Sequence, residues 1–436
     1  MSRALIRLAV IGAGPKAAAL AAKVRVLNDL RRSRGMHRRP RFELVIFEEQ
    51  SVANHWAGED GYTDGAAPLC TPAERDLGFP YQSSIPGVNE ALFAQFSWQA
   101  YLVRHHSFSK WVDLGRMKPK HAAFAQYVRW AIKESGCKVV PGTVTQLLVD
   151  KDQWVIRGVP GYRAARPATA SVGLLERGAF DGVVVTGPGP ARQLPLARGR
   201  RRPTNLFDGS SFWLKTDRVS KALAEADEPE IAILGGGGTA AAIISWLVKH
   251  EFRHVPIRLV APQPTLFSRS DNSFENLLFS REEYWESLTS RVREETFIRL
   301  NRGVVWDAVI NDIKEADIEP LSGRGVRINR LPNGEGSIDV ELTNGFAFTI
   351  APTVLIDATG FNDWWFTKLL SEVMTRTESG WGAMRETVGP GLAFSGPRWP
   401  HPPLHVPMHA SRIGPGFASL MVLGAMSDRI LNGYLD

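Results

Sequence analysis

Two stretches of this chain read as a buried strand, a glycine turn and a helix, and no other feature constrains the fold as much. The first is LIRLAVIGAGPKAAALAAKVRVLNDL, in which Gly12-Ala-Gly14-Pro15-Lys-Ala17 joins an apolar run to an alanine-rich helix. The second is EIAILGGGGTAAAIISWLVKH, with Gly235-Gly-Gly237-Gly-Thr239-Ala240 in the same place. In such a turn the first glycine permits a tight bend and the second lets backbone approach a pyrophosphate. The small third residue allows close helix-to-strand packing, and the phosphate sits at the positive helix N-terminus. RFELVIFEE and PIRLVAP supply the next strand of each unit. The expected fold is therefore α/β, with two Rossmann-like dinucleotide-binding domains that repeat in architecture without a long match in sequence.

The strand downstream of each turn suggests which ligand the turn holds. After the first turn that strand ends in Glu48, an acid suited to ribose hydroxyls. Its distance from the glycines exceeds the usual spacing of roughly twenty residues, and an inserted basic loop, Arg31 to Arg41, accounts for the excess. The strand after the second turn runs RLVAPQPTLFSRS and has no acid at its end. There Arg258 or Arg269 is placed to meet a 2'-phosphate, Arg269 being preferred because it follows the strand, so the second turn is read as an NADPH site. VLIDATGF, with Asp357, Thr359 and Gly360, and VVVTGPG, Val183 to Gly189, are apolar strands ending in small residues. Together they match a chain that leaves and re-enters an FAD domain, with backbone amides brought to the flavin. The expected organisation is an FAD domain over 1–205 and 350–436, an NADPH domain over 206–349, and a small helical substrate-facing region at 270–300.

Composition narrows the function classes. A chain of 436 residues, 44% hydrophobic and 22% charged, suits two or three globular domains. Its two cysteines, Cys70 and Cys137, lie too far apart in sequence for a paired redox motif, which argues against a disulfide reductase and for a reducing compartment. The N-terminus lacks the order of regions of a secretory leader, and no apolar run reaches the roughly 18 residues of a membrane span, so a cytoplasmic protein is expected. The net charge of +7 resides largely in Arg31 to Arg41 and Ala197 to Arg202, short patches without stacking aromatics, and nucleic acid is not an expected partner. His401, His405 and His409 are spaced by four, but Pro402, Pro403 and Pro407 exclude the helix that would make them a metal face. No metal is expected.

Several segments outside the glycine turns carry a more specific resemblance: HWAGEDGYTDGAAPLCTPAERDLGFPYQS, FSWQAYLVRHHSFSKWVDLGRMKPKHAAFAQYVRWA, LFSRSDNSFENLLFS, RLNRGVV and GPGFASLMVLGAMSDRI. Over nearly its whole length the chain resembles the flavin-dependent N-hydroxylating monooxygenases of lysine and ornithine, and within them the mycobactin-type lysine N-hydroxylases. The resemblance implies FAD and NADPH as cofactors, O2 and an amino-acid amine as substrates, and a homo-oligomer. NADPH would reduce the flavin, O2 would give a flavin hydroperoxide, and the side-chain amine would attack its distal oxygen to become a hydroxylamine for a hydroxamate siderophore or related metabolite. L-lysine is the first expected substrate and L-ornithine the second.

The same resemblance assigns residues. Asn276 matches an asparagine at substrate and nicotinamide, Asn301 a second substrate-side asparagine, and Trp56 an aromatic position by the flavin. Arg75 stands where the family has a lysine that pairs with the substrate carboxylate; arginine can hold a carboxylate in a bidentate fork, and its bulk can select a different substrate. Asp76 is read as a brace for its loop or for Arg75. Two other readings stay open: an N-oxygenase of a different primary amine, such as the α-amine of an acidic amino acid, and a flavin-binding regulatory protein that no longer oxygenates.

Overall fold

Leu5–Ile11 forms β1, and from Leu8 onward every residue of it is buried, as befits a parallel strand covered on both faces. Gly12 and Gly14 lead it into α1 (Pro15–Ser33), whose Ala17, Ala18, Ala19, Ala21 and Ala22 are enclosed. β2 (Arg41–Glu48) then returns parallel to β1. The computed structural model describes residues 5–435 except 36–39, 60, 168, 177, 198–200, 269–271, 303–304, 375 and 377. The remaining strands are β3 (Lys138–Asp150), β4 (Gln153–Pro160), β5 (Gly173–Leu174), β6 (Gly182–Val185), β7 (Leu206–Asp208), β8 (Ile231–Leu234), β9 (Ile257–Ala261) and β10 (Ile318–Arg330). They end with β11 (Gly336–Leu342), β12 (Ala347–Ile350), β13 (Val354–Asp357) and β14 (Leu404–His405).

Among the described residues these strands make two seven-stranded sheets, ordered β14-β6-β1-β2-β3-β4-β5 and β12-β11-β10-β9-β8-β13-β7. Read from opposite ends, the two are the same sheet. Each has a parallel block centred on its glycine strand, β1 or β8, followed by an antiparallel hairpin pair. The hairpins correspond even in irregularity: β3 with β4 shifts register between Val144 and Gln146, and β10 with β11 shifts between Gly325 and Arg327.

The correspondence corrects one expectation. VVVTGPG and VLIDATGF are equivalent strands of different sheets, not two edges of one flavin domain. β6 pairs with β1, whereas β13 pairs with β8 and β7. Asp357, Thr359 and Gly360 therefore belong with the second glycine turn, and the chain returns toward the first sheet after Gly360 rather than at residue 350. Asp357 accepts from Leu194 N at 2.9 Å and from Thr359 Oγ1 at 2.6 Å, fastening this strand end locally.

The outgoing and returning crossings between the sheets run side by side. Ala191 bridges Phe361 antiparallel, Arg192 N donates to Gly360 O at 2.9 Å, and Asn362 N donates to Pro190 O at 2.9 Å. In the stretch expected to be helical and substrate-facing lie three short helices, Ser273–Ser280, Glu282–Ser287 and Ser290–Arg302. The C-terminal helix α2 (Leu423–Asn432) packs against α1, and the Lys23–Asp428 ion pair at 2.7 Å joins them.

His405 and His409 are core residues. The Nδ1 of His405 donates to Gly391 O at 2.7 Å and its Nε2 accepts from Tyr434 OH at 2.7 Å; Nε2 of His409 donates to Asp363 O at 3.0 Å. Burial pushes both imidazoles down to about 4. The unfolded chain therefore takes up protons at these sites first as pH falls, and stability present above about pH 6.5 is lost toward pH 4. The urea midpoint is expected to be lower at pH 5 than at pH 7; an unchanged or higher midpoint at pH 5 would contradict this assignment of two neutral core imidazoles.

Candidate active site

A cleft of about 1840 Å³ is lined by the first glycine turn, by Gly238 of the second, and by the C-terminal loop from Pro415 to Met421. Pockets for a single small ligand measure roughly 300–1,000 Å³, so this space suits more than one.

The first turn is held from three sides. Gly12 has φ +97°, and a Cβ there would stand 2.7 Å from Thr186 Oγ1, which itself donates to Ile11 O at 2.8 Å. Glu48 lines the cleft, but its carboxylate also braces the turn, accepting from Ala13 N at 2.8 Å and Gln50 N at 2.9 Å. Burial raises its pKa. Gly14 caps α1 with no side-chain hydrogen bond, and the first turn of the helix carries no acid. A Cβ on Gly14 would meet nothing within 4 Å, so the uncapped helix N-terminus opens on empty space, as an anion site requires. Ala17 is fully buried behind the turn and fills the packing role expected of it.

The second turn repeats the arrangement. Gly235 has φ +104°, and a Cβ there would stand 2.5 Å from Ala358 O. Gly237 begins the helix Gly238–Lys249 without a side-chain cap and likewise opens on empty space, while Ala240 is buried. A Cβ on Gly209 would lie 3.0 Å from Thr239 Cγ2, so Thr239 packs against the Asp208–Ser211 loop. Asp208, Ser210 and Ser211 of that loop line the cleft. Arg258 does not serve this turn. It lies near the start of β9, remote from the strand's glycine-turn end, and is engaged by Glu230 at 2.8 Å and Glu319 at 3.2 Å. Arg269 lies outside the described residues.

Of the substrate-side assignments, Asn276 lines the cleft, as do residues of both turns. Helix capping is done by its neighbour Asn272, whose side chain accepts from Phe274 N. Asn301 falls in the helix Ser290–Arg302, and its side chain is outside the described residues. Trp56 lines the cleft with His121, which it meets edge-on at 5.1 Å, and packs against Phe124 at 5.6 Å. Arg75 is not among the lining residues. It reaches Met421 Sδ at 3.4 Å, Met421 forms the wall, and its guanidinium lies 5.2 Å from the Phe79 ring. Asp76 braces the loop and not Arg75: it accepts from Tyr81 OH at 2.7 Å, Trp98 N at 2.8 Å and Gly78 N at 3.1 Å, and burial pushes its carboxyl up to about 6.

Sequence alone did not single out Lys16, the stacked His55 and Tyr62, or the loop at Asp208 to Ser211, all of which line the cleft. Lys16 is visible as the fifth residue of the first glycine motif. The others have no motif to announce them.

Residues 93–316 match the family model described as L-lysine 6-monooxygenase/L-ornithine 5-monooxygenase. The chain is 34% identical over 450 residues to the L-lysine N6-monooxygenase MbtG of Mycolicibacterium paratuberculosis, covering 98% of this chain and 95% of that one. The chain belongs to this monooxygenase family. The MbtG of Mycobacterium tuberculosis (strain ATCC 25618 / H37Rv) is 33% identical over 97% of this chain and 94% of its own length. Among solved structures, lysine monooxygenase NbtG from Nocardia farcinica superposes with a TM-score of 0.75 at 28% identity, covering 97% of this chain and 98% of that one. The ornithine N-hydroxylase of Kutzneria sp. 744, solved with reduced FAD, NADP+ and L-ornithine, shares the fold at a TM-score of 0.72 and 16% identity, covering 98% of each chain.

In this member of the monooxygenase family, Asp76 is a structural acid with three donors aimed at it. Asp76→Ala leaves those donors buried without an acceptor and is expected to destabilise the protein by on the order of 3 kcal/mol, with Asp76→Asn intermediate. Urea unfolding of the two variants checks this; a midpoint unchanged in Asp76→Ala would show that the loop does not depend on the carboxylate.

Proposed function

We propose that this chain is an FAD- and NADPH-dependent monooxygenase that hydroxylates the side-chain amine of an amino acid, L-lysine first and L-ornithine second, for a hydroxamate siderophore or related N–O metabolite. The observation that carries the reading is the single cleft in which the first glycine turn, the second helix N-terminus and Asn276 meet, in a chain about one-third identical over its length to lysine N6-monooxygenases. We assign FAD to the first turn and NADPH to the second, with Arg269 as the partner of the 2'-phosphate. The body of the first sheet would form the FAD domain and that of the second the NADPH domain. The two-cysteine composition supports a reducing, cytoplasmic setting. Homo-oligomeric assembly belongs to the same reading.

The residues present fit both dinucleotides: each helix N-terminus is uncapped, and each second glycine faces open space where a pyrophosphate would lie. Bound FAD, reduced by NADPH, supplies the oxygen-activating chemistry. The chain supplies binding, orientation and dryness. A lysine side-chain amine of ordinary pKa near 10.4 must lose its proton before it can act as a nucleophile, at a cost of about 4.6 kcal/mol at pH 7. Desolvation lowers that cost by disfavouring the ammonium. Trp56 and His121 line the cleft, with Phe124 packed behind Trp56, and offer such an apolar wall. Burial pushes His121 down to about 4, so its imidazole stays neutral at working pH and adds no charge beside the amine. The Asn276 amide, able both to donate and to accept, orients the substrate against the nicotinamide end of the cofactor.

The test is hydroxylamine product, quantified with FAD and NADPH in air across lysine, ornithine, aspartate and simple diamines. Product with lysine above the others is expected. No product with lysine or ornithine from protein that binds FAD and oxidises NADPH would overturn the assignment, and product with aspartate alone would move it to an acidic amino acid. In Asn276→Ala, NADPH oxidation should persist while KM for the amine rises about tenfold or more and less hydroxylamine forms per NADPH, the loss of one or two well-placed hydrogen bonds. Unchanged KM and coupling would remove Asn276 from the substrate site.

A further inference from the structure

Two lysines on one face of α1 are buried, and the fold treats them differently. Lys23 lies seven residues beyond Lys16, two turns along the helix. Lys23 is 1% exposed and has a charged partner and a carbonyl: Asp428 at 2.7 Å in an ion pair and Gly424 O at 2.8 Å, both from the C-terminal segment. Lys16 is 7% exposed and also reaches the C-terminal segment, donating to Ala418 O at 3.1 Å. No carboxylate pairs with it among the described residues, and a carbonyl carries no compensating charge.

Its position makes that imbalance sharper. Lys16 is the second residue of α1, where the helix dipole and the uncapped amides already present positive charge, and the first turn contains no acid. A buried cation at the positive end of a helix is disfavoured twice unless an anion completes the site. Lys16, Ala418 and the open face of Gly14 all border the cleft, so the anion would come from the ligand held there. Burial alone pushes the Lys16 ammonium down to about 8, which leaves it mainly charged at neutral pH.

We propose that Lys16 is a cofactor-binding residue: its ammonium is the counter-ion of the FAD diphosphate at the first glycine turn, and its bond to Ala418 fastens the C-terminal loop to the bound cofactor. The proposal rests on the assignment of FAD to this turn. Lys23, with its own carboxylate, has only a structural part.

The experiment uses full-length apo-protein, titrated with FAD and followed by flavin fluorescence, alongside the thermal midpoint without cofactor. Lys16→Met is expected to raise the Kd for FAD about tenfold or more, the loss of a charge-assisted contact, while the apo midpoint stays level or rises because an uncompensated buried charge is gone. Lys16→Arg, which keeps the charge, should bind FAD more tightly than Lys16→Met. Lys23→Met should lower the apo midpoint by stranding Asp428. An unchanged Kd in Lys16→Met would overturn the proposal, as would a fall in apo stability alongside the fall in affinity, which marks a structural lysine. Wild-type apo-protein that takes up no FAD would defeat the cofactor assignment itself, and this proposal with it.

Discussion

The structure depends on a steric condition met twice: a strand must end where the residue at the end of a neighbouring strand leaves no room for a side chain. At Gly12 the intruding group is Thr186 Oγ1, 2.7 Å from where a Cβ would be, and at Gly235 it is the carbonyl of Ala358, at 2.5 Å. Both glycines have positive φ, which L side chains reach only with strain. Substituting either residue would push apart the two strands that aim a helix N-terminus into the cleft. The flanking elements, from buried parallel strands to alanine-rich helices, serve to hold that approach.

The local parts of this plan were legible in the sequence. Each glycine turn and the helix after it lie where the motif puts them, and Glu48, Trp56 and Asn276 line the cleft. The misplacement of Asp357, Thr359 and Gly360 has a physical cause. VVVTG and VLIDATG have the same apolar run and the same Thr-Gly end, because each does the same job beside its own glycine strand. Which sheet a strand joins is decided by pairing across long separations, β13 with β8 more than a hundred residues away, and periodicity is silent about that. Arg258 was a candidate because it is near the turn in sequence. In a strand, however, a shift of a few residues moves a side chain about 3.3 Å per residue, and Arg258 finds two glutamates instead. Arg75 shows the same limit, since its neighbours Phe79 and Met421 come from different ends of the chain.

The C-terminal segment lines the cleft and makes several long-range polar bonds. Asp428 accepts from Ser83 as well as pairing with Lys23, Arg429 pairs with Glu282 of the helix Glu282–Ser287, and Ala418 receives Lys16. One helix and the loop before it thus connect α1, the aromatic loop region and the inserted helices. Loss of order there would be felt by the first glycine turn and the helices of 273–302 together.

The two crossings between the sheets, hydrogen-bonded at Ala191 and Phe361, have a consequence for how such a chain is assembled. They bring the beginning and the end of the second unit to neighbouring points. A segment whose ends meet enters its host as a loop of short span, and lengthening a loop adds little closure entropy. The matching strand order of the two halves then describes one unit nested inside a loop of its twin. Tandem copies would sit end to end with their glycine turns apart; nesting sets them face to face across one shared space.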